Sequence, residues 1–242
     1  MEKESIKKQV DYYNARSANY SEVRYPKITL SYTQYIFKKR LEIFLDFLER
    51  IEETLPENAT ILEIGCADGV VFKAIEEKFP GRFVKLAGID VSPKMISEAK
   101  NRNKNLRAHF FLRDEFKLKK FDLIIELGIH PYNLDGELNY VNECLNSKGY
   151  YFYSAVGRKS VFVGLKLRAE KYLNDYKSYK QYEQIFGKNF ILENSEVYGL
   201  FIPKLWSVPF LGRLLQPIFD SVFSKIIPER LHEKIYCLRK LH

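Results

Sequence analysis

One stretch limits the fold of this chain more than any other. Ala59-Thr60-Ile61-Leu62-Glu63-Ile64 is a short apolar run that breaks at Gly65-Cys66-Ala67-Asp68-Gly69, and Val70 to Phe79 then reads as a helix closed by Pro80-Gly81. A strand, a tight turn and a helix in that order open a βαβ unit. The rhythm repeats downstream: strand Phe83 to Ile89, helix Pro93 to Asn101, strand Ala108 to Leu112, strand Phe121 to Leu127, helix Leu138 to Leu145 and strand Tyr150 to Ser154. Apolar strands alternating with helices pair in parallel through right-handed crossovers, which predicts a doubly wound α/β sheet.

Outside this block the pattern loosens. Glu2 to Tyr25 is a charged, tyrosine-rich lead segment ended by Pro26. A helix is expected from Thr29 to Leu55, where Ile36, Leu41, Phe44, Leu45, Leu48, Ile51 and Leu55 recur at helical spacing. After Ser154, Ser178 to Phe186 suggests a further helix, Asn189 to Val197 a sixth strand and Lys234 to Leu238 a seventh. With 242 residues and no internal repeat, the chain suits one large domain with appended elements.

Composition narrows the function classes. Hydrophobic residues at 46% and charged residues at 29% exclude a disordered or fibrous chain. The 18 Phe and 17 Tyr are more than a core needs, so some are expected to line a ligand cavity or a membrane-facing surface. The net charge of +8 is spread along the chain without a basic arm, so nucleic-acid binding is not expected. Cys66, Cys144 and Cys237 lack CxxC spacing and read as isolated thiols, with no metal site. The charged N-terminus and the lack of a long apolar stretch lead to an expectation of a cytoplasmic protein, with peripheral membrane contact left open.

Glu63 to Gly69 carries the strongest chemical signal, because ligands of open α/β sheets bind beyond the carboxyl ends of the strands, where small residues let the backbone approach. A dinucleotide fingerprint starting at Gly65 would require Gly at Ala67 and Gly or Ala at Val70. It fails where a pyrophosphate needs room. Instead the segment resembles the first motif of class I S-adenosylmethionine-dependent methyltransferases, an acid followed by GxGxG, with Ala67 in the middle position. A second landmark is Gly88-Ile89-Asp90-Val91-Ser92. The resemblance covers Thr60 to Ser154 well and the flanks less well.

The resemblance implies a set of roles. Asp90, with Val91 beside it, would accept both ribose hydroxyls of the donor; its competing role as a helix N-cap falls more naturally to Ser92. Gly65, Cys66, Ala67 and Gly69 would pack under the methionine portion, and Glu63 would orient its amino group. Asp114, in Arg113-Asp114-Glu115-Phe116, takes the adenine position, against the alternative of a solvated charge cluster. Glu126 opens the segment Glu126-Leu127-Gly128-Ile129-His130-Pro131-Tyr132, where sulfonium and acceptor meet, and His130 is the candidate general base. The lead segment resembles a lid over the donor, with Tyr12 and Tyr20 as its expected contacts, the equal alternative being that these rings pack the lead helix onto the sheet.

The expected architecture is thus a seven-stranded, mostly parallel Rossmann-like sheet in a single domain. Residues 1–58 would form an N-terminal helical lid, 59–155 the donor-binding core, and 156–242 the remaining core with substrate-cap insertions. In the resembling family a short hairpin joins the sixth and seventh strands, whereas here Tyr198 to Glu233 intervenes, rich in Leu and Phe and carrying Trp206. With Val156 to Tyr176 it would form an apolar cap at the carboxyl edge, against the alternative of a helical extension that enlarges the core or makes a dimer contact. The expected function is methyl transfer from S-adenosylmethionine to a lipid, isoprenoid or similar bulky acceptor. The competing functions are a nicotinamide-dependent oxidoreductase and a catalytically silent donor-binding scaffold.

Overall fold

The computed structural model describes residues 7, 10–117, 119–129, 133–166 and 176–241. Its centre is a seven-stranded sheet: β1 (Thr60–Ile64), β2 (Lys85–Asp90), β3 (Ala108–Leu112), β4 (Phe121–Glu126), β5 (Leu145–Val156), β6 (Phe190–Tyr198) and β7 (Glu233–Lys240). Their spatial order is β3-β2-β1-β4-β5-β7-β6. All adjacent pairs from β3 to β5 are parallel, and β7 runs antiparallel to both β5 and β6. The order reverses between β1 and β4, so a crevice opens at their carboxyl ends.

Helices cover both faces. They are α1 (Tyr20–Arg24), α2 (Tyr32–Ile51), α3 (Val70–Lys78), α4 (Pro93–Arg102), α5 (Leu134–Cys144), α6 (Val161–Gly164), α7 (Tyr179–Phe186) and α8 (Pro209–Ile226). Local chemistry fixes their starts. Ser31 caps α2 by accepting from the Gln34 N–H, and Ser92 caps α4 by accepting from the Met95 N–H with Pro93 following. Ser178 and Gln181 form a reciprocal capping box on α7. Two apolar layers result: Ile61, Leu123, Ile125 and Phe152 pack toward Phe44 and Phe72 on one face, while Leu62, Ile64, Ile124 and Tyr151 pack toward Leu138 and Phe186 on the other.

Several boundaries differ from the sequence expectation for identifiable reasons. α2 starts at Tyr32, not Thr29, because Ser31 is its cap, and the chain tightens into a 3-10 turn over Glu52–Thr54. α5 begins four residues before Leu138, because Asn133 accepts from the Gly136 N–H. β5 begins at Leu145, which pairs with Phe121, rather than at Tyr150. Between β6 and β7 the expected insertion contains a 3-10 turn (Leu205–Ser207) and the 18-residue α8. Tyr198 pairs with Glu233, so both ends of the insertion lie at the carboxyl edge.

Candidate donor-binding site

The turn after β1 is held in an alternating left-handed conformation, with φ of +70° at Gly65, +46° at Ala67 and +79° at Gly69. A side chain at Gly65 would put its Cβ 2.0 Å from Ile129 Cδ1, and one at Gly69 would meet Asn103 Nδ2 at 2.4 Å. These two positions need glycine for both space and conformation. Ala67 bears a methyl in a region that disfavours it by about 1–2 kcal/mol. Its N–H is anchored in return by Asp90 Oδ2 at 3.0 Å. The N–H groups of Gly65 and Cys66 both donate to the Ile89 carbonyl, at 2.7 and 3.0 Å, so β2 fixes the turn from beneath. The Cys66 thiol is buried there in the apolar layer near Gly88, and burial pushes its pKa up. Cys66 offers the site its backbone, not its sulfur.

Strand alternation brings Glu63 and Asp90 to one face of the sheet. Glu63 is only 4% exposed, and its Oε2 has no hydrogen-bond partner among the described residues. Burial raises its pKa well above the ordinary carboxylate range, and the charges of Asp90 and Asp68 raise it further. Asp90 is raised by burial too, although Ser92 and Ala67 N–H groups pull it back. Its Oδ1 accepts from the Ser92 N–H at 2.8 Å. Asp90 therefore braces the turn and is not a helix cap, a role Ser92 fills. Three buried carboxylates crowd one small volume, which favours a cationic guest. S-adenosylmethionine carries an ammonium and a sulfonium, and the unpartnered Glu63 oxygen fits the first of these.

Asp68 escaped the sequence reading. It accepts from the Ser21 N–H at 3.1 Å and from the Ser21 hydroxyl at 2.6 Å, which ties the lead segment onto the turn. Burial raises its carboxyl pKa, with Ser21 and Arg102 opposing. A second tie joins the Ser92 hydroxyl to Asn14 Oδ1 at 2.7 Å, and a third joins Arg102 to the Ala18 carbonyl at 2.8 Å and to Glu22 at 2.5 Å. The lid expected over the donor is thus a clasp on β1, β2 and α4. Within it Tyr20 lies beneath the Arg24 guanidinium, 3.9 Å from its ring centroid. Tyr12 is 47% exposed, under Arg16 at 3.6 Å, and does not join the carboxylate cluster. Tyr25 does. Burial pushes its hydroxyl up to about 12 despite Arg40, and the nearby Glu63 and Asp68 add to the rise.

The remaining expected residues divide. Asp114 is exposed in a 3-10 turn after β3, Val91 is half-buried beside Asp90, and Phe116 stacks on Phe121 at 6.1 Å. Glu126 faces the opposite layer, where its Oε2 accepts from the Tyr151 hydroxyl at 2.6 Å. Burial, aided by the Glu137 charge, raises its pKa to about 8 against the Tyr151 hydrogen bond and Arg113. Glu126 is not brought to the Glu63 cluster, because the alternation that turns Ile125 one way turns Glu126 the other. His130 lies outside the described residues.

Beyond β4 the sequence reading also missed a buried ion pair. Arg40 of α2 donates twice to Glu233 of β7, at 2.9 and 2.8 Å. Burial alone would raise the Glu233 carboxyl, but Arg40 holds it at about 2. The guanidinium closes against Gly128, where a Cβ would sit 2.4 Å from Nη1, and the Gly128 N–H donates to the Ser154 hydroxyl at 2.7 Å. Nearby, Tyr32, Phe162, Phe201 and His232 pack ring to ring, with centroids 4.8–6.0 Å apart. An aromatic cluster thus lies at the carboxyl ends of β5 and β6 and the amino end of the antiparallel β7.

Comparison with known proteins agrees with this geometry. Residues 62–151, from β1 into β5, match the family model described as a methyltransferase domain. An uncharacterized protein of Rickettsia prowazekii (strain Madrid E) is 30% identical over 145 residues, so the match spans 56% of this chain and 56% of that one. Magnesium protoporphyrin IX methyltransferase from Synechocystis PCC 6803, solved with bound S-adenosylhomocysteine, superposes with a TM-score of 0.63 at 13% identity, over 97% of this chain and 98% of that chain. A methyltransferase from Thiobacillus denitrificans in complex with S-adenosyl-L-homocysteine gives 0.57 at 14% identity, over 91% and 96%. These two likenesses establish the fold, and the matched segment contains Glu63, the left-handed turn and Asp90. Over residues 62–151 the chain thus resembles a methyltransferase domain, and its fold is that of the two solved methyltransferases.

Proposed function

We propose that this chain transfers the methyl group of S-adenosylmethionine to a bulky, partly apolar small-molecule or lipid-like acceptor. The observation that carries the donor half is the buried trio Glu63, Asp68 and Asp90 with an unpartnered Glu63 oxygen. Glu63 would hold the donor ammonium, and Asp90, whose oxygens each accept one backbone N–H, would use their remaining lone pairs on the ribose hydroxyls. Asp114 would meet the adenine amino group at the exposed end of the crevice. When bound, the donor supplies an already activated methyl, so the protein's task is chiefly alignment and exclusion of water. The clasp made by Asn14, Ser21 and Arg102 serves the exclusion.

The acceptor half rests on what lies across the crevice. Tyr32, Phe162, Phe201 and His232 offer flat apolar walls, and the Arg40–Glu233 pair fixes a neutralised polar edge beside Gly128. His130 is the proposed base for an acceptor that must lose a proton. Two measurements test the reading. Isothermal titration should show S-adenosylhomocysteine binding, and radiolabelled donor incubated with a lipid extract should give a labelled product soluble in organic solvent. Replacing residues 200–223 by a short Gly-Ser turn should keep donor binding and abolish transfer. Undiminished transfer by that variant would refute the acceptor assignment, and retention of a nicotinamide dinucleotide in place of S-adenosylhomocysteine would refute the donor assignment.

A further inference from the structure

α8 reverses the usual amphipathic arrangement. Gly212, Gln216 and Asp220, four residues apart, form its buried side. Asp220 accepts from the Gly199 N–H at 2.7 Å, the Leu200 N–H at 2.9 Å and the Tyr35 hydroxyl at 2.7 Å. Gln216 donates to the Leu200 carbonyl at 2.8 Å and accepts from the Trp206 indole N–H at 3.1 Å. Gly212 lets Trp206 approach so closely that a Cβ would sit 2.5 Å from the ring. Polar groups thus fasten the helix to the body, and the apolar side is left outside.

That outer side carries Phe210, Leu214, Ile218, Val222 and Ile226, each between 47% and 66% exposed. Arg213 donates to the Thr29 carbonyl at 3.0 Å, which sets exposed Ile28 and Leu30 alongside. Scattered exposed apolar residues are ordinary, but a stripe running the length of a helix marks a contact surface. The charges say what it contacts. From Lys204 to Pro228 the only acid is Asp220, which is buried, whereas Lys204, Arg213 and Lys225 are all exposed, and Lys27 is exposed beside Ile28.

We propose that this face docks on an anionic lipid bilayer. The apolar side chains enter the boundary between headgroups and acyl chains, and the cations meet lipid phosphates. A second copy of the chain fits less well, since a two-fold contact through this face would set its cations against their own copies with no exposed acid from α8 to answer them. No helix among the described residues is long and apolar enough to cross a membrane, so the contact is peripheral. The inference stands apart from methyl transfer, because it concerns a surface that none of the donor-site residues shares.

Flotation of the full chain with vesicles of phosphatidylcholine, alone or mixed with phosphatidylglycerol, tests it. The protein should float with the mixed vesicles, float poorly with neutral ones, and be released by added salt. Phe210→Ser combined with Ile218→Ser should lower partitioning at least about tenfold, and Lys204→Gln combined with Lys225→Gln about tenfold. These side chains are exposed, so melting temperature and S-adenosylhomocysteine affinity should be unchanged in both variants. Absence of flotation with anionic vesicles, or flotation retained by the serine variant, would overturn the proposal. So would a dimer in sedimentation velocity that the serine variant dissolves while vesicles bind neither form.

Discussion

Removing the Asp90 carboxylate should cost this protein twice. Its two oxygens accept the Ala67 and Ser92 N–H groups at 3.0 and 2.8 Å, so Asp90→Ala strips a charged acceptor from two backbone donors at a buried position. Hydrogen bonds to charged groups contribute about 1.5–3 kcal/mol each, and partial rehydration of the emptied site offsets some of that. The net loss should be about 2–4 kcal/mol. For a chain of this length each kcal/mol lowers the melting temperature by about 2–4 °C, which predicts a fall of roughly 5–15 °C. Ala67, no longer held in its left-handed conformation, adds to the loosening of the turn. Donor affinity should fall separately, by about 1.5–3 kcal/mol, on the order of tenfold to a hundredfold. Differential scanning fluorimetry and titration calorimetry with S-adenosylhomocysteine read the two costs independently. Asp90→Asn retains one acceptor oxygen and should recover about half of the stability. An unchanged melting temperature in Asp90→Ala would mean that the carboxylate does not brace the turn, and unchanged affinity in both variants would remove it from the donor site.

Three further perturbations follow from the buried acids and the crevice. Burial raises the Glu63 carboxyl above its ordinary range, and a cationic guest favours the carboxylate, so S-adenosylhomocysteine affinity should rise with pH above the ordinary carboxylate range in the native protein and stay flat in Glu63→Gln. Calorimetry in buffers of different ionisation enthalpy should detect proton release from the native protein alone, and its absence would contradict the assignment. Glu126, with a folded pKa of about 8 against an ordinary value of 4.5, binds its proton more tightly when folded, so its stability contribution is full below pH 4.5 and lost as pH rises toward 8. By pH 7 the native protein should therefore have lost on the order of 3 kcal/mol relative to Glu126→Gln, measured by urea unfolding; parallel curves across that range would disprove the shift. His130→Ala should lower turnover on the true acceptor far more than donor affinity, and unaltered turnover in steady-state kinetics would leave alignment as the only catalytic device.

The parts of the fold legible in the sequence are those that local pattern encodes. β1 to β5 and their crossover helices follow from apolar runs between turns, and Ser92 was readable as a cap because Pro93 follows it. The long insertion after β6 was legible as a departure from a hairpin. What escaped was what the chain brings together from afar. Ser21 and Asp68 are 47 positions apart, and Arg40 and Glu233 are 193 apart, so no spacing rule connects either pair. Glu126 escaped for another reason. Its position at the end of β4 is right for the crevice, but which face it takes depends on the layer to which Ile124 and Ile125 are assigned, and that is settled only when α5 and α7 pack. The inward face of α8 left a readable trace in Gly212, Gln216 and Asp220. Hydrophobicity alone orients such a helix the wrong way, because it cannot show that Gly199, Leu200 and Tyr35 wait for a buried acceptor.

The distribution of charge links these elements into one arrangement. The chain carries 39 basic and 31 acidic residues, yet the crevice at β1 and β2 concentrates three carboxylates, with the nearest cation, Arg102 at 3.8 Å from Asp68, committed also to Glu22 and Ala18. On the β7 side Arg40 and Glu233 cancel each other in a buried pair whose side chains are only 5% and 1% exposed. The excess of positive charge is therefore expressed elsewhere, and along α8 it is unopposed by any exposed acid. A cation and an anion approaching this molecule meet different places: the crevice favours the first through uncompensated buried acids, and the helix favours the second through exposed Lys204, Arg213 and Lys225. Because β6 ends and β7 begins at the sheet edge where the crevice opens, the two fields belong to the same end of the molecule. Under the proposed function, that placement puts an acceptor held at an anionic surface on the same edge of the sheet as the aromatic cluster that follows β5 and β6.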